Sequence, residues 1–192
     1  IQNAAGTAAM TIDSGGVVAE PNKEYFQVEL TTSQLGLADK ALHTVDFGGK
    51  GTVKYDTKSN FDSANDAYLL GSRDGVYLIS FSLGIRSATI STEDIIDAAA
   101  AVFVATDGST FVAVNGAGSR IVDQSSLRVG SVMYTGSFIY KSTTATTKVL
   151  LKGHANTNTS GSSFSESADA NANDVTGFDT ARCTFLSVAR IA

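Results

Sequence analysis

Two histidines, one cysteine and a run of acids and amides are the residues of this chain whose types suit chemistry. A nucleophilic site needs a Ser or Cys, a base and an orienting acid within hydrogen-bond reach. His43 and His154 have no nucleophile elbow of the GxSxG kind to serve, and both are read as surface histidines. Cys183 with a distant histidine would make a thiol dyad, but Cys183 lies in an apolar strand pattern and reads as a small buried hydrophobe. Asp169, Asp174 and Asp179, with Asn171 and Asn173, offer the oxygen ligands that Ca²⁺ takes. Their spacing, DANANDVTG, lacks the bidentate Glu and the helical frame of an EF-hand, so the stretch reads as a solvated loop. Gly48-Gly49-Lys50-Gly51 lacks the GxxxxGK[ST] order and a following helix, and is a turn rather than a phosphate loop. No pair of carboxylates stands out for glycoside chemistry, and there is no Trp on which a sugar could stack. The expectation is a binding or structural chain with no catalytic residue, metal or cofactor. A carbohydrate-active sandwich is the enzymatic alternative.

The elements that position these residues are short strands. The longest clean alternation is Gly75–Ile85, GVYLISFSLGI. Tyr77, Ile79, Phe81, Leu83 and Ile85 fall on one face, and Ser80, Ser82 and Gly84 on the other. So one-sided a strand needs a second apolar layer, hence a sandwich or barrel. Tyr25–Leu30 repeats the pattern, with Phe26, Val28 and Leu30 on one face. Thr31–Leu42 reads as a loop, and Val45–Tyr55 as a hairpin about its glycines. Ala67–Gly71, Val129–Tyr140, Thr146–Leu151 and Cys183–Ile191 are further strands. Asp107-Gly108 between apolar runs is a strong hairpin signal. Ser91–Ala101, STEDIIDAAAA, is the single helix predicted, with Ser or Thr to cap it, acids in its first turn and alanines after. The tract Asn156–Thr180 is polar, and its Phe164 and Phe178 are expected to pin it to the body of the fold. The fold class is all-β, a jelly-roll sandwich with at most one short inserted helix.

At 192 residues the chain divides into a tether, 1–22, rich in Ala and Gly, and one domain, 23–192. It opens at Ile1-Gln2-Asn3 without an initiator Met and is expected to be a piece of a longer or processed polypeptide. The net charge of −5, with no basic cluster, argues against nucleic acid as a partner. No apolar run approaches the roughly 20 residues a spanning helix needs, so membrane insertion is not expected.

Val53-Lys54-Tyr55-Asp56, then Phe61, then GVYLISFSLGI and the closing Thr184-Phe185-Leu186-Ser187 resemble the C1q/TNF-like domain over about residues 24–192. The family's Pro before the GxY strand is replaced by Ser72-Arg73-Asp74, and the closing strand lacks its usual glycine. Met10–Val17 followed by Pro21 resembles the connector that precedes C1q-like heads in phage tail fibres and related surface proteins. The resemblance implies a jelly roll that forms a homotrimer at the end of a stalk, with Tyr77, Ile79, Phe81 and Leu83 on the strand that builds core and trimer. It implies a location on a virion surface or outside the cell. The partners it implies are further copies of the chain, the rest of a longer fibre or virion protein, and a host-surface glycan or outer-membrane component. Asn156, Asn158, Asn171, Asn173 and Asp174, in the polar tract, are the candidate receptor contacts. A trimerisation or capsid-decoration module without its own receptor is the alternative.

Overall fold

A computed structural model describes residues 11–12, 14–16, 18–19, 23–87, 95–120, 131–157, 161–165 and 183–192. Strands β1 (Thr11–Ile12) and β2 (Val18–Ala19) form a two-stranded ribbon about Ser14-Gly15-Gly16. The sandwich begins with β3 (Tyr25–Leu30), β4 (Gln34–Leu37) and β5 (Leu42–Thr44). A single helical turn, α1 (Phe47–Lys50), leads to β6 (Gly51–Asp56), β7 (Phe61–Asp62) and β8 (Ala67–Leu69). The long strands follow: β9 (Val76–Ser87), β10 (Ile95–Ala105), β11 (Val112–Arg120), β12 (Ser131–Lys141) and β13 (Lys148–Thr157). Short β14 (Ser162–Ser165) and β15 (Phe185–Arg190) close the chain.

Two antiparallel sheets result, each centred on one long strand. In the first, β12 pairs with β9 along its length, from Ser131 opposite Arg86 to Lys141 opposite Val76. The other edge of β9 is shared end to end. β15 takes Tyr77–Ser82 and continues to β3 and β6, while β14 takes Gly84–Ser87 and continues to β4. At the junction the Gly84 N–H donates to Thr184 Oγ1 at 3.0 Å, and Thr184 Oγ1 donates to the Ser165 carbonyl at 2.6 Å. A Cβ at Gly84 would lie 2.8 Å from Cys183 Sγ, so this close approach requires glycine. Cys183 is buried and its thiol donates to the Ser165 carbonyl, as expected of a small core residue. In the second sheet β13 pairs with β10, which continues to β11, and its other edge carries β8 and β5.

The core lies between the sheets. Tyr77, Ile79, Phe81, Leu83 and Ile85 of β9 face Val102, Val149 and Leu151, all at most 1% exposed. Phe26 stacks on Tyr68 with ring centroids 4.2 Å apart. Phe164 is fully buried, so it does pin its segment; Phe178 lies outside the described residues.

Three sequence expectations are corrected. The described part of the predicted helix, from Ile95, is strand β10. Its alternation is period two, with Ala98, Ala100, Val102 and Val104 buried and Ala99, Ala101 and Phe103 partly exposed. Alanine's helix propensity is a weak prior, and pairing on both edges with β11 and β13 overrides it. Residues 91–94 lie outside the described set. Val45–Tyr55 is not a hairpin: the glycines form α1, where the Gly49 N–H donates to Asp46 Oδ1 at 2.7 Å, and the flanking strands join different sheets. Thr31–Leu42 is not all loop, since Gln34–Leu37 pairs with β14. The Asp-Gly hairpin forms as expected: Asp107 Oδ1 accepts from the N–H groups of Ser109 and Thr110, and Gly108 takes a positive φ of 79°.

Candidate functional site

Each strand of the first sheet turns one set of side chains into the core, and the other set outward. The pairing registers align the outward set in rows that cross the sheet. One row runs Ile139, Leu78, Ala189, Tyr25, from β12 through β9 and β15 to β3. Ile139 is 67% exposed, Leu78 40% and Tyr25 42%. The next row runs Ser137, Ser80, Ser187, Gln27, Tyr55. Ser80 and Ser137 share a 2.6 Å hydroxyl–hydroxyl hydrogen bond, and Tyr55 stands exposed at the edge of the sheet. Between the rows lies a hollow of about 390 Å³ lined by Tyr25, Gln27, Tyr55, Thr57, Ser187 and Ala189.

These two rows contain no charged side chain. In the third row, Thr135, Ser82, Phe185, Glu29 and Thr52, the one charge is Glu29. Its carboxylate is met by Lys54 Nζ at 3.3 Å and accepts from Gln27 Nε2 at 2.9 Å. Exposed apolar and aromatic groups in two rows without charge suit a protein–protein contact, since such a surface gains by leaving water; the nearest cation to them is Lys23, whose Nζ lies 5.6 Å over the Tyr25 ring. Burying one Leu or Ile side chain here would contribute about 1.5–3 kcal/mol.

One end of the sandwich is locked by a buried acid. Glu24, 3% exposed, accepts from Tyr68 Oη at 2.9 Å and Tyr77 Oη at 3.2 Å. Burial and the neighbouring Glu24 carboxylate push both phenols up, Tyr77 to about 12, so they stay protonated as donors. The Arg190 N–H donates to the Glu24 carbonyl and the Val76 N–H to the Ala192 carbonyl. The domain therefore starts and the described chain ends side by side. The opposite end is where β9 gives way to residues 88–94, β11 to 121–130 and β13 to 158–160. Residues 166–182 leave β14 and rejoin before β15 about halfway along β9.

Tyr77, Ile79, Phe81 and Leu83 all point into the core; the outward positions of the same strand are Leu78, Ser80 and Ser82. Asn156 is on β13 in the other sheet, where its Nδ2 donates to Asp97 Oδ2 at 2.8 Å. Asn158, Asn171, Asn173 and Asp174, and the amide-rich stretch weighed for Ca²⁺, lie outside the described residues. Among the described residues no group of three His, Cys, Asp or Glu side chains converges to hold a metal ion. His43 is on β5, its Nε2 3.0 Å from the Ala38 carbonyl, and His154 faces Asp97. Sequence reasoning did not single out Leu78, Ile139, Tyr25 and Tyr55 as one surface. The signal was a large side chain at the outward parity of several strands, but only the register joins them.

No family model matches the chain, and no curated protein matches it by sequence. Among solved structures, murine APRIL is similar with a TM-score of 0.54 and 10% identity, over 88% of this chain and 100% of that one. The Eiger TNF of S. frugiperda has a TM-score of 0.56 and 7% identity, over 88% and 93%. The globular domain of zebrafish complement 1qA gives 0.47 and 13%, over 89% and 98%. The first two likenesses establish the fold, a TNF-type jelly roll, and at this identity they establish the fold alone.

Proposed function

We propose that residues 23–192 are a self-associating head, a homotrimer, which recognises a surface structure on a host cell, and that residues 1–22 tether it to the rest of a fibre or virion protein. The observation that carries the reading is the open face of the first sheet: two rows without charge that expose Ile139, Leu78, Tyr25 and Tyr55 on a TNF-type jelly roll. The occupant is a further copy of the chain, and the resemblance to C1q/TNF-like domains supplies the number three. The placement of the ends supports a stalked head. The tether joins at the end locked by Glu24, so the far ends of β9 to β13 point away from it. Three copies of a weak contact on one particle would bind through effective concentration. The function is binding, at a virion surface or in the extracellular medium.

Native mass spectrometry tests the first half. A species of three times 19.9 kDa is expected, and a clean monomer at micromolar concentration would sink it. For the second half the head is transplanted between particles of different host range. A changed set of adsorbed cells supports receptor recognition; unchanged adsorption reduces the head to a trimerisation or decoration module.

A further inference from the structure

The hollow on the open face of the first sheet lies at the tether end of the molecule. Tyr25 lines it and opens β3, two residues after Lys23. Thr57, also in the lining, donates its hydroxyl to the Lys23 carbonyl at 3.2 Å and accepts from the Tyr25 N–H at 2.9 Å. Tyr55, 63% exposed, is the second aromatic ring of the lining, with Gln27 and Ser187 in its row. At the same level stands a ribbon that needs cover. β1 and β2 pair with Ile12 opposite Val18, and Ile12 is 67% exposed. A ribbon of two short strands is marginal in water until a further layer packs on it. Among the described residues, none of the ribbon lines the hollow. Residues 20–22 join Ala19 to Lys23, and a reach of at most about 3.5 Å per residue keeps Ala19 within about 14 Å of Lys23. The ribbon is therefore tied to the level at which the hollow opens. In a cyclic trimer all copies point the same way, so each ribbon lies at the height of its neighbours' hollows.

We infer that the β1–β2 ribbon of one copy seats in the hollow of the next, with Ile12 against the Tyr25 and Tyr55 rings. This rests on the reading that the chain associates through this face. The seat is continuous with that face, since Tyr25 and Ala189 belong to both. A diffusible ligand would compete with the neighbouring copy for the same residues. The two rings suit an aliphatic side chain, and Gln27, Thr57 and Ser187 offer amide and hydroxyl groups to the backbone of the strand that carries it. The tether thus clasps two subunits together as well as joining each head to its stalk.

Cross-linking of the full chain tests the seat. Ile12→Cys and Ser187→Cys are combined and treated with a short bismaleimide; the native Cys183 is buried and does not compete. Covalent species of two and three chains on a denaturing gel, formed only when both cysteines are present, are expected. A link confined within one chain, no link, or a link formed by either single variant overturns the inference. Native mass spectrometry of the same protein separates the two readings. A trimer without the link leaves association standing and this seat fallen; a monomer removes both. Ile12→Asp gives a second measure. Its side chain is exposed in the single chain, so the melting curve of the monomer should stay where it is. The dissociation constant of the trimer should rise at least about tenfold, the equivalent of one aliphatic side chain leaving water. An unchanged dissociation constant would end the case for the clasp.

Discussion

On the first sheet the outward row Ile139–Leu78–Ala189–Tyr25 offers water one polar side-chain group, the Tyr25 hydroxyl, while the outward positions of β13 in the second sheet hold Lys148, Lys152, His154 and Asn156. Both sheets pack the same kind of apolar residues inward. Their outer faces differ because alternation assigns each strand one face for the core and leaves the other to whatever covers it. On the second face the polar groups are paired, with Lys148 meeting Asp62 at 3.2 Å, Lys152 over Phe103 and His154 facing Asp97, although Leu42 opposite His154 is 52% exposed. Among the described residues the first carries the ion pairs Glu29–Lys54 and Lys141–Asp74 toward its margins, has Lys23 Nζ 5.6 Å over the Tyr25 ring, and exposes aliphatic and aromatic groups between them. The difference teaches that a jelly roll can be read for its partners one face at a time.

The sharpest way to break this comparison is to give the first face the character of the second. Leu78→Asp and Ile139→Asp each put a carboxylate in the middle of the uncharged rows. Both side chains are exposed in the single chain, so its own stability should move by no more than about 0.5 kcal/mol. Association should be lost completely, because a buried unpaired charge costs far more than a contact returns. Sedimentation velocity reads the result. A trimer that survives both substitutions would put the contact on another surface.

Next in size is a change that removes the support common to both faces. Gly153 of β13 points into the core, where an added Cβ would lie 2.5 Å from Leu83 Cδ2 and 2.7 Å from the Phe164 ring. Overpacking typically costs about 1–3 kcal/mol, and two fully buried neighbours blocking the same methyl put Gly153→Ala at the upper end of that range. Chemical denaturation of the single chain is the measurement, and an unchanged midpoint would mean that the sheets separate more easily than their packing implies. Tyr68→Phe should come third. It takes one of two hydroxyl donors from the buried Glu24 and should cost about 1.5–3 kcal/mol in the same assay, while leaving association intact.

The inward half of each face was legible in the sequence, because burial imposes period two on Tyr25–Leu30, Gly75–Ile85 and Cys183–Ile191 whatever lies beyond. The Asp107-Gly108 hairpin was legible because its turn chemistry is local. The outward half was not. Tyr25, Leu78, Ile139 and Ala189 come from four strands scattered over the chain, and only pairing makes them one row. The same cause hid Asp97 beside His154 and made alanines of a strand look like a helix: what decided them was the strand next door, β13, more than fifty residues away in the chain.

The smallest effect sharpens the charge side of the comparison. Asp62 is held below the usual carboxylate range, first by the Asn65 amide that donates to it at 2.8 Å and then by the Lys148 ammonium. A carboxyl whose folded pKa is depressed adds stability above its unfolded value, near 3.8, and that stability drains away as pH falls through the folded value. Wild type should therefore exceed Asp62→Asn slightly at about pH 7, and the gap should be smaller at an acid pH below the unfolded value of 3.8. Both residues of the pair keep about a quarter to a third of their side-chain surface exposed, so the gap will be a fraction of a typical core effect. Urea melts of the two proteins at both pH values measure it. A gap that does not change with pH would mean that the Lys148–Asp62 pair is geometry without energy, and that the second face owes its solubility to single charges and not to their pairing.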